Sequence, residues 1–355
     1  MTPFRVALIT GTRPEAIKMA PLMLAARGHP TLTLHLIATG QQDALFGEAI
    51  AAFGIAPDAH LGAAAGASLD QLRTALTQYL TANRPNLVLV QGDTNTALAG
   101  AQAAHTLGIP IGHVEAGLRT HNPERPFPEE NNRVAIAQIA TLHFAPAQRA
   151  ADNLAREGVR GDIHITGNTG IDALLTIAAT LPPPTSSDTV LVTCHRRENF
   201  GAPLLRICAA LKALAVRHSF NMSLPIHPNP NVGTVIKSEL GDVPSIALIP
   251  PLSYPDMITA IRASPFVLSD SGGLQEECAT LGIPLLLMRE ETERQELVES
   301  RNVVLVGSDT DLIVREALRL RDDTASHLRV SRPSFPYGRG DAAPKIITAI
   351  EHFVT

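Results

Sequence analysis

The chain has 355 residues, 45% of them hydrophobic and 18% charged, which is typical of a globular protein long enough for about two domains. The formal net charge of −5, an aromatic content of 4% and the absence of tryptophan and of lysine- or arginine-rich tracts argue against a nucleic-acid partner. No apolar run approaches the roughly 20 residues that span a bilayer, no signal-peptide cleavage pattern is present and the cysteines lack paired spacing, so we expect a cytoplasmic protein without a membrane partner.

Short apolar runs alternate with helix-patterned segments along the whole chain. In the first half these runs predict strands near residues 4–10, 32–39, 87–91, 109–114, 142–145 and 163–166. In the second half they predict strands near residues 189–194, 222–226, 246–249, 265–269, 283–288 and 303–306. Strands rich in Val, Ile and Leu that alternate with helices form parallel sheets covered on both faces. We therefore expect an α/β protein of two doubly wound domains with an intervening cleft.

A proline- and serine-rich stretch at residues 181–187 lies between the two halves and can continue neither a helix nor a strand. We place the first domain at residues 1–168 and the second at residues 169–337. The periodic segment at residues 342–353 predicts a helix that crosses back, so residues 338–355 are assigned to the first domain.

Polar and small residues follow the first predicted strand and begin a helix. Pro14 suits the first helical turn, and Arg13 and Lys18 then stand near the positive helix N-terminus, where anions bind. The pattern is not G-x-G-x-x-G, so it gives little support to dinucleotide binding. A capped helix start without any ligand explains the same residues.

A similar arrangement follows the predicted strand near residues 265–269. Gly272 and Gly273 allow a phosphate to approach the backbone, and Ser271 is a candidate cap. Glu277, one turn later, is a candidate ribose ligand, and Arg294 adds a cation at the same sheet edge. A tight turn is the alternative interpretation of the two glycines.

Several ionisable residues form a candidate acid–base set. Asp93 and Glu115 follow neighbouring predicted strands, and His195 follows the first strand of the second half. Glu129, Glu130 and Arg133 lie in a predicted helix start, where dipole complementarity alone can explain the acids. No metal-ligand pattern is present apart from the pair Asp309 and Asp311, for which a helix N-cap is the favoured interpretation.

Taken in order, the motifs resemble one family, the non-hydrolysing UDP-N-acetylglucosamine 2-epimerases. The similar segments are GTRPEAIKMAP, TGQ, QGDT, HVEAGLRT, PFPEENNR, TGNTGIDAL, VTCHRREN, PIHPNPNV, DSGGLQEE and ETERQE. The resemblance implies two Rossmann-like domains of the glycosyltransferase-B kind, a UDP-sugar substrate, a homodimer, and neither a nicotinamide cofactor nor an obligatory metal. The matching UDP-binding positions are Arg13, Lys18, His195, Ser271, Gly272, Gly273, Glu277 and Arg294. The matching catalytic positions are Asp93, Glu115, Glu129, Arg133 and His195.

The chemistry of 2-epimerisation, the reaction that the resemblance implies, fits these UDP-binding and catalytic positions. The C2 proton of the sugar is not acidified by an adjacent carbonyl, so its loss is coupled to departure of UDP from C1. A 2-acetamidoglucal would form, and re-addition of UDP with protonation of the other face would give the manno product. The reaction needs carboxylates as base and acid, and cations on the diphosphate.

The chain also departs from the family pattern. Gln42 and Ala44 stand where the family commonly has His and Gln or Glu, and residues 62–67 lack an arginine that binds an activating second UDP-N-acetylglucosamine in many members. We therefore expect hyperbolic kinetics. The departures leave open an alternative substrate, UDP-2,3-diacetamido-2,3-dideoxy-glucuronate, with Arg125 as partner of its carboxylate. A UDP-sugar glycosyltransferase is a weaker alternative, because a transferase needs fewer acidic groups.

Overall fold

The structure is a computed structural model that describes residues 3–40, 43–64, 66–227 and 229–354, with residues 43–45 described through their backbone only. The chain divides into two compact units. The first consists of Met1–Ile177 and Tyr337–Thr355, and the second consists of Ala178–Pro336. Gln42 and the side chain of Ala44 lie outside the described part, so the expectation of hyperbolic kinetics stays a prediction.

Within the described residues, the first unit contains a seven-stranded parallel sheet in the order β3-β2-β1-β4-β5-β6-β7. Its strands are β1 (Phe4–Thr10), β2 (Leu32–Ala38), β3 (Ala59–His60), β4 (Leu87–Gln91), β5 (Ile111–Val114), β6 (Leu142–Ala145) and β7 (Asp162–Ile165). Its helices are α1 (Arg13–Ala25), α2 (Asp43–Ala51), α3 (Leu69–Ala82), α4 (Asn95–Thr106), α5 (Glu129–Ile139), α6 (Gln148–Arg156), α7 (Thr169–Ala178) and, at the chain's end, α15 (Ala342–Val354).

The second unit, over the same described ranges, contains a six-stranded parallel sheet in the order β10-β9-β8-β11-β12-β13. Its strands are β8 (Thr189–Thr193), β9 (Asn221–Pro225), β10 (Ile246–Ile249), β11 (Val267–Ser269), β12 (Leu285–Leu287) and β13 (Val303–Leu305). Its helices are a 3₁₀ turn (Arg197–Asn199), α8 (Ala202–His218), α9 (Pro230–Leu240), α10 (Tyr254–Ala263), α11 (Gly272–Leu281), α12 (Gln295–Glu299), α13 (Thr310–Asp322) and α14 (Thr324–Val330).

Strand β1 shows why these apolar runs form central strands. Val6 and Leu8 pack into a core with α1 and α15, while Ala7 and Ile9 pack into a second core with α3 and α4. Because both faces of the strand are covered by helices, its sequence is continuously apolar rather than alternating. The expected class of two parallel-sheet α/β domains is confirmed, and every predicted strand is present.

The division of the chain differs from the expected boundary after residue 168. Helix α7 belongs to the first unit, where the Asp172 carboxylate accepts the backbone N–H groups of Ala342 and Ala343 at 3.2 and 2.8 Å. Asp172 thereby satisfies donors in the first turn of α15 that have no partner within that helix. These long-range hydrogen bonds have no local sequence signal, whereas the proline-rich stretch does.

One property of the helices bears on membrane association. Across the described ranges, no helix combines the length and the apolar character that crossing a membrane requires.

Candidate active site

The turn from β1 into α1 is closed by a buried carboxylate. Glu15 is 1% exposed, and its Oε2 accepts the backbone N–H groups of Gly11 and Thr12 at 3.0 and 2.7 Å and the Thr12 hydroxyl at 2.8 Å. Its Oε1 accepts the hydroxyl of Thr94, the residue after Asp93, at 2.6 Å. Burial raises the pKa of the Glu15 carboxyl, and these hydrogen bonds oppose the shift. The turn that leads to Arg13 and Lys18 is thus tied to the end of β4.

Lys18 and Glu115 form an ion pair in the first unit. The Lys18 Nζ contacts Glu115 Oε2, and the side chains are only 15% and 6% exposed. The amide of Asn168, a residue 1% exposed, donates to the same oxygen at 2.9 Å. Two donors on one carboxylate oxygen favour the ionised form of that group.

The backbone around Glu115 is unusual, because this residue has a φ of 65°. Left-handed conformations are costly for a residue with a long side chain and persist where the surroundings enforce them. Two residues later Gly117 also has a positive φ, and a Cβ at that position would lie 2.2 Å from the carbonyl oxygen of Ala150. Close packing against α6 therefore fixes the chain direction after β5.

Asp93 and Arg133 form a second ion pair in the first unit. Arg133 is 5% exposed, and one of its Nη atoms contacts the Asp93 carboxylate. Its other Nη lies 3.1 Å from Glu130 Oε2. The neighbouring Asn132 donates to the Asp93 carbonyl at 2.8 Å. The first turn of α5 therefore holds the segment after β4 in place. Glu130, a member of the candidate acid–base set, orients Arg133.

Glu129 lies beside this pair on α5 with a different environment. Its Oε2 is buried and has no hydrogen-bond partner among the described residues. The segment that leads into the helix contains cis peptide bonds at Arg125–Pro126 and Phe127–Pro128. A buried carboxylate oxygen without a donor is costly, and such groups are frequent where a ligand or a proton completes the site.

His113, two residues before Glu115, is fully buried on β5. Its Nε2 lies 2.7 Å from the carbonyl oxygen of Gly92, and its Nδ1 has no partner in the described ranges. Burial lowers the pKa of His113 from 6.5 to about 3. The imidazole is therefore neutral near pH 7 and donates its Nε2 proton to the turn before Asp93.

In the second unit, the fully buried Asp270 organises the segment after β8. Its carboxylate accepts the backbone N–H groups of His195 and Arg196, each at 2.9 Å, and the side-chain amide of Asn199 at 3.0 Å. Asn199 also donates to the carbonyl of Met288 at 3.0 Å. The segment that begins with His195 is therefore fixed by an acid at the end of the adjacent strand β11.

His195 is oriented on both sides of its ring. Its Nδ1 lies 3.3 Å from Asp270 Oδ1, and its ring stacks on that of His227, with centroids 5.6 Å apart. Burial lowers the pKa of His195, and the negative charge of Asp270 opposes this shift. Burial and the neighbouring His195 also lower the pKa of His227. An imidazole held in a fixed orientation can exchange a proton with a bound ligand.

The N-terminus of α11 lies between two guanidinium groups. A Cβ at Gly272 would come within 2.9 Å of an Arg196 Nη and 3.4 Å of an Arg294 Nη, so only glycine leaves these groups undisturbed. The Nε of Arg196 is buried and lacks a hydrogen-bond partner among the residues that the structure describes. Ser271 is the N-cap residue, but its side chain makes no capping hydrogen bond. Helix amides and two cations together favour an anion at this point.

Arg294 is held by a buried network of acids. Its Nε donates to Glu276 at 2.5 Å, and its Nη contacts Glu293. Glu293 also accepts from Arg289 at 3.2 Å, and Arg289 binds Glu198 at 2.7 Å. A guanidinium with this many partners keeps one position. A cation held in this way is better suited to bind a charged ligand group than a cation on a mobile side chain.

Glu277, the residue after Glu276 on α11, is half-buried. The hydroxyl of Tyr254, at the start of α10, donates to Glu277 Oε1 at 3.0 Å. The carboxylate is thereby oriented by a residue of a second helix. The tyrosine was absent from the predicted site.

Two further sequence interpretations concern metals. Asp309 accepts the backbone N–H of Leu312 at 2.9 Å and is the N-cap of α13, so the N-cap interpretation is confirmed. The described residues contain no group of three or more His, Cys, Asp or Glu side chains arranged to hold a metal ion.

Similarity to known proteins identifies the family of this chain. A family model described as UDP-N-acetylglucosamine 2-epimerase matches residues 24–351. The chain belongs to this family. It is therefore an enzyme of the epimerase class, and the resemblance seen in the sequence is confirmed.

Several epimerases are similar along nearly their whole length. The UDP-N-acetylglucosamine 2-epimerases of Campylobacter jejuni and Escherichia coli K12 are each 39% identical over 98% of the chain, and the matches cover 97% and 98% of those proteins. The crystal structure of the Neisseria meningitidis UDP-GlcNAc 2-epimerase bound to UDP-GlcNAc has a TM-score of 0.93 at 35% identity, covering 98% of this chain and 100% of that one. The glycosyltransferase SnogD of Streptomyces nogalater shares the fold alone, with a TM-score of 0.57 at 15% identity.

Within each unit the structure brings predicted site residues together. Lys18 forms an ion pair with Glu115, and Asp93 forms one with Arg133. The half-buried Arg13 begins α1 beside the Glu15 turn. Six residues that orient this set or flank it were not among the predicted site residues: Glu15, Asn168, Arg196, Tyr254, Asp270 and Glu276. Asn168 and Asp270 follow β7 and β11, so their position after a strand was the available signal.

Proposed function

We propose that this epimerase interconverts UDP-N-acetylglucosamine and UDP-N-acetylmannosamine by elimination and re-addition of UDP through a 2-acetamidoglucal. The observation that carries the proposal is the pairing of carboxylates with cations at neighbouring strand ends of the first unit, Lys18 with Glu115 and Arg133 with Asp93. Family membership and the UDP-GlcNAc bound to the Neisseria meningitidis enzyme support the substrate.

We assign the proton transfers to the first unit. Asp93, Glu115 and Glu129 are the acid and base candidates, and each sits in a defined setting: Arg133 holds Asp93, Lys18 holds Glu115, and Glu129 has a buried oxygen with no donor in the described ranges. Three carboxylates in separate settings provide candidates for both the base and the acid of one reaction.

We assign recognition of UDP mainly to the second unit. The α11 N-terminus at Ser271, Gly272 and Gly273, flanked by Arg294, suits the diphosphate, and Glu277 suits the ribose hydroxyls. In the first unit, Arg13 and Lys18 at the start of α1 supply further positive charge. We assign proton exchange with the departing phosphate to His195, whose ring lies against Asp270.

The reaction balances without an added redox group. A carboxylate takes the C2 proton, the C–H electron pair becomes the C1–C2 double bond, and the C1–O bond breaks with its electrons leaving on UDP. In the return step UDP adds to C1, and an acid protonates C2 on the opposite face. Cations and helix amides that stabilise the charge developing on the diphosphate lower the barrier to both steps.

We also infer a cytoplasmic homodimer, on the basis of the family resemblance. Light scattering of the purified protein in solution tests the oligomeric state. A mass of twice the 37.7 kDa chain supports the homodimer, and a mass of 37.7 kDa contradicts it.

Product analysis tests the proposed function. The purified protein is incubated with UDP-N-acetylglucosamine, with UDP-N-acetylmannosamine, or with UDP-2,3-diacetamido-2,3-dideoxy-glucuronate, and the sugars are identified by NMR. Interconversion of the first two at a rate well above that of the third supports the proposal. Turnover of the uronate alone would identify the uronate as the substrate instead. Transfer of the sugar to an acceptor would contradict epimerisation.

A further inference from the structure

Glu115 Oε2 is bound by two donors that come from different parts of the first unit. One is Lys18 from α1, and the other is the side-chain amide of Asn168, which lies in the loop between β7 and α7, at 2.9 Å. The resemblance to the family assigns Lys18 and Glu115 but gives Asn168 no role. Both donors can only donate, so the oxygen they share accepts two hydrogen bonds in the ionised form.

The orientation of the Asn168 amide is fixed at its other end. Its Oδ1 accepts the backbone N–H of Gly170 at 3.1 Å, so the Nδ2 must face Glu115. Its backbone N–H donates to the Tyr337 carbonyl at 2.8 Å, and the residue is 1% exposed. A buried side-chain amide held by two hydrogen bonds, on a residue whose backbone is also fixed, does not rotate to present its oxygen.

We propose that Asn168 is a positioning residue that keeps Glu115 ionised and correctly oriented for proton transfer in the epimerase reaction. The inference rests on the proposed function and adds a residue to it. Asn168 acts through Glu115 and is not assigned a contact with substrate.

Two other ionisable groups of the first unit, His113 and Asp93, are neutral or paired. His113, two residues earlier on β5, has a pKa lowered by burial to about 3 and is neutral in the working range of pH. On the neighbouring strand β4, the charge of Asp93 is paired with Arg133. Lys18 is a cation in contact with the carboxylate, and Asn168 is a neutral donor to the same oxygen.

Two substitutions test the proposal through the pH–rate profile. In Asn168→Asp, one oxygen still accepts from Gly170, but the other faces Glu115 and places two carboxylates in contact. Like charges at this distance favour protonation of one of them. We expect the acidic limb of kcat to move to higher pH by at least about one unit. In Asn168→Ser the donor is lost while the hydroxyl can still accept from Gly170, so a smaller shift in the same direction is expected.

The matched control is Asn302→Asp, since Asn302 is also buried but donates its amide to the carbonyls of Val330 and Arg332 in the second unit rather than to a carboxylate. The acidic limb of its kcat profile should coincide with that of the wild type. The inference is supported if this limb lies at the lowest pH in the wild type, at higher pH in Asn168→Ser and at the highest pH in Asn168→Asp, with KM changed less than twofold. Coincident acidic limbs for all four proteins, or equal shifts for Asn302→Asp and Asn168→Asp, would overturn it. An absence of epimerase activity in the wild-type protein would instead count against the proposed function.

Discussion

The carboxylate of Asp270 accepts the backbone N–H of His195 at 2.9 Å and lies 3.3 Å from the Nδ1 of the same residue. Asp270 is fully buried at the end of β11, while the His195 side chain is 34% exposed after β8. One acid therefore fixes the backbone of the histidine, the orientation of its ring and the nitrogen that carries the proton. Such an arrangement leaves the Nε2 as the proton-exchanging atom.

Replacement of Asp270 by Asn should affect both the protonation and the placement of His195. Because the charge of Asp270 raises the pKa of His195 against the effect of burial, its removal should lower that pKa further. We expect kcat to fall by the order of 10²-fold, the usual cost of a displaced catalytic group. NMR titration of the imidazole nitrogens measures the pKa.

Asp309→Asn is the matched control for this substitution. Asp309 also accepts a backbone N–H in the second unit, as the N-cap of α13. Asparagine is an equally good N-cap, so activity and the His195 titration should be unchanged. An unchanged His195 pKa in Asp270→Asn would show that Asp270 does not act on the ring.

The carboxylates assigned to proton transfer should affect kcat more than UDP binding. We expect Asp93→Asn and Glu115→Gln to lower kcat by roughly 10²- to 10⁴-fold, the typical contribution of a general acid or base, while the Kd for UDP stays within a few-fold. Steady-state kinetics and calorimetric titration with UDP measure the two quantities.

Glu157→Gln serves as their control, because Glu157 also pairs with an arginine of the first unit, Arg119 at 2.7 Å, but has no proposed role in catalysis. Wild-type kcat in both Asp93→Asn and Glu115→Gln would remove these residues from the mechanism.

The fold was largely predictable from the sequence because apolar runs such as residues 87–91 are complete strands, bounded by residues that end them. The exception is β3, whose two residues, Ala59 and His60, are too few to produce a periodic signal. The division between the units was less predictable, since the attachment of α7 depends on Asp172 and a helix that begins 170 positions later in the chain.

The residues of the candidate site were predictable in part. Asp93, Glu115 and His195 follow apolar strands, so their placement at sheet edges was visible in the sequence. Their partners were not, because Asn168 reaches Glu115 across 53 positions and Asp270 reaches His195 across 75. Contacts this distant in sequence arise from the order of strands in the sheets, which a single sequence does not encode locally.

Glu277 should contribute to the binding of UDP rather than to chemistry. Its carboxylate is oriented by Tyr254 at 3.0 Å, and hydrogen bonds to a charged group are worth about 1.5–3 kcal/mol. We expect Glu277→Ala to raise the Kd for UDP by about 10- to 150-fold. The exposed Glu239→Ala, in the same unit, is the control and should leave the Kd unchanged. Equal affinities for Glu277→Ala and the wild type would show that Glu277 does not hold the ribose.

His113 should make stability depend on pH below neutrality. Its pKa in the folded protein, about 3, is below the ordinary value of 6.5, so in this window the unfolded chain binds a proton that the folded protein does not. The free energy of unfolding should therefore fall as the pH is lowered from 6.5 towards 3, with a contribution from His113 of about 1.4 kcal/mol per pH unit. Urea denaturation at several pH values measures this slope.

His113→Gln should reduce the slope by this amount, because an amide keeps a donor for Gly92 but does not titrate. The exposed His105→Gln substitution in the same unit is the control. Parallel pH dependences for His113→Gln and the wild type would contradict the assignment of a neutral, buried His113.

Turnover of UDP-N-acetylglucosamine in D₂O tests the central proposal, elimination and re-addition of UDP, most directly. If the C2 proton is removed by a carboxylate and another proton is delivered from the opposite face, the UDP-N-acetylmannosamine formed should carry deuterium at C2. Small amounts of free UDP and 2-acetamidoglucal should accompany it. Product that retains the original hydrogen at C2, without either intermediate species, would contradict the elimination mechanism.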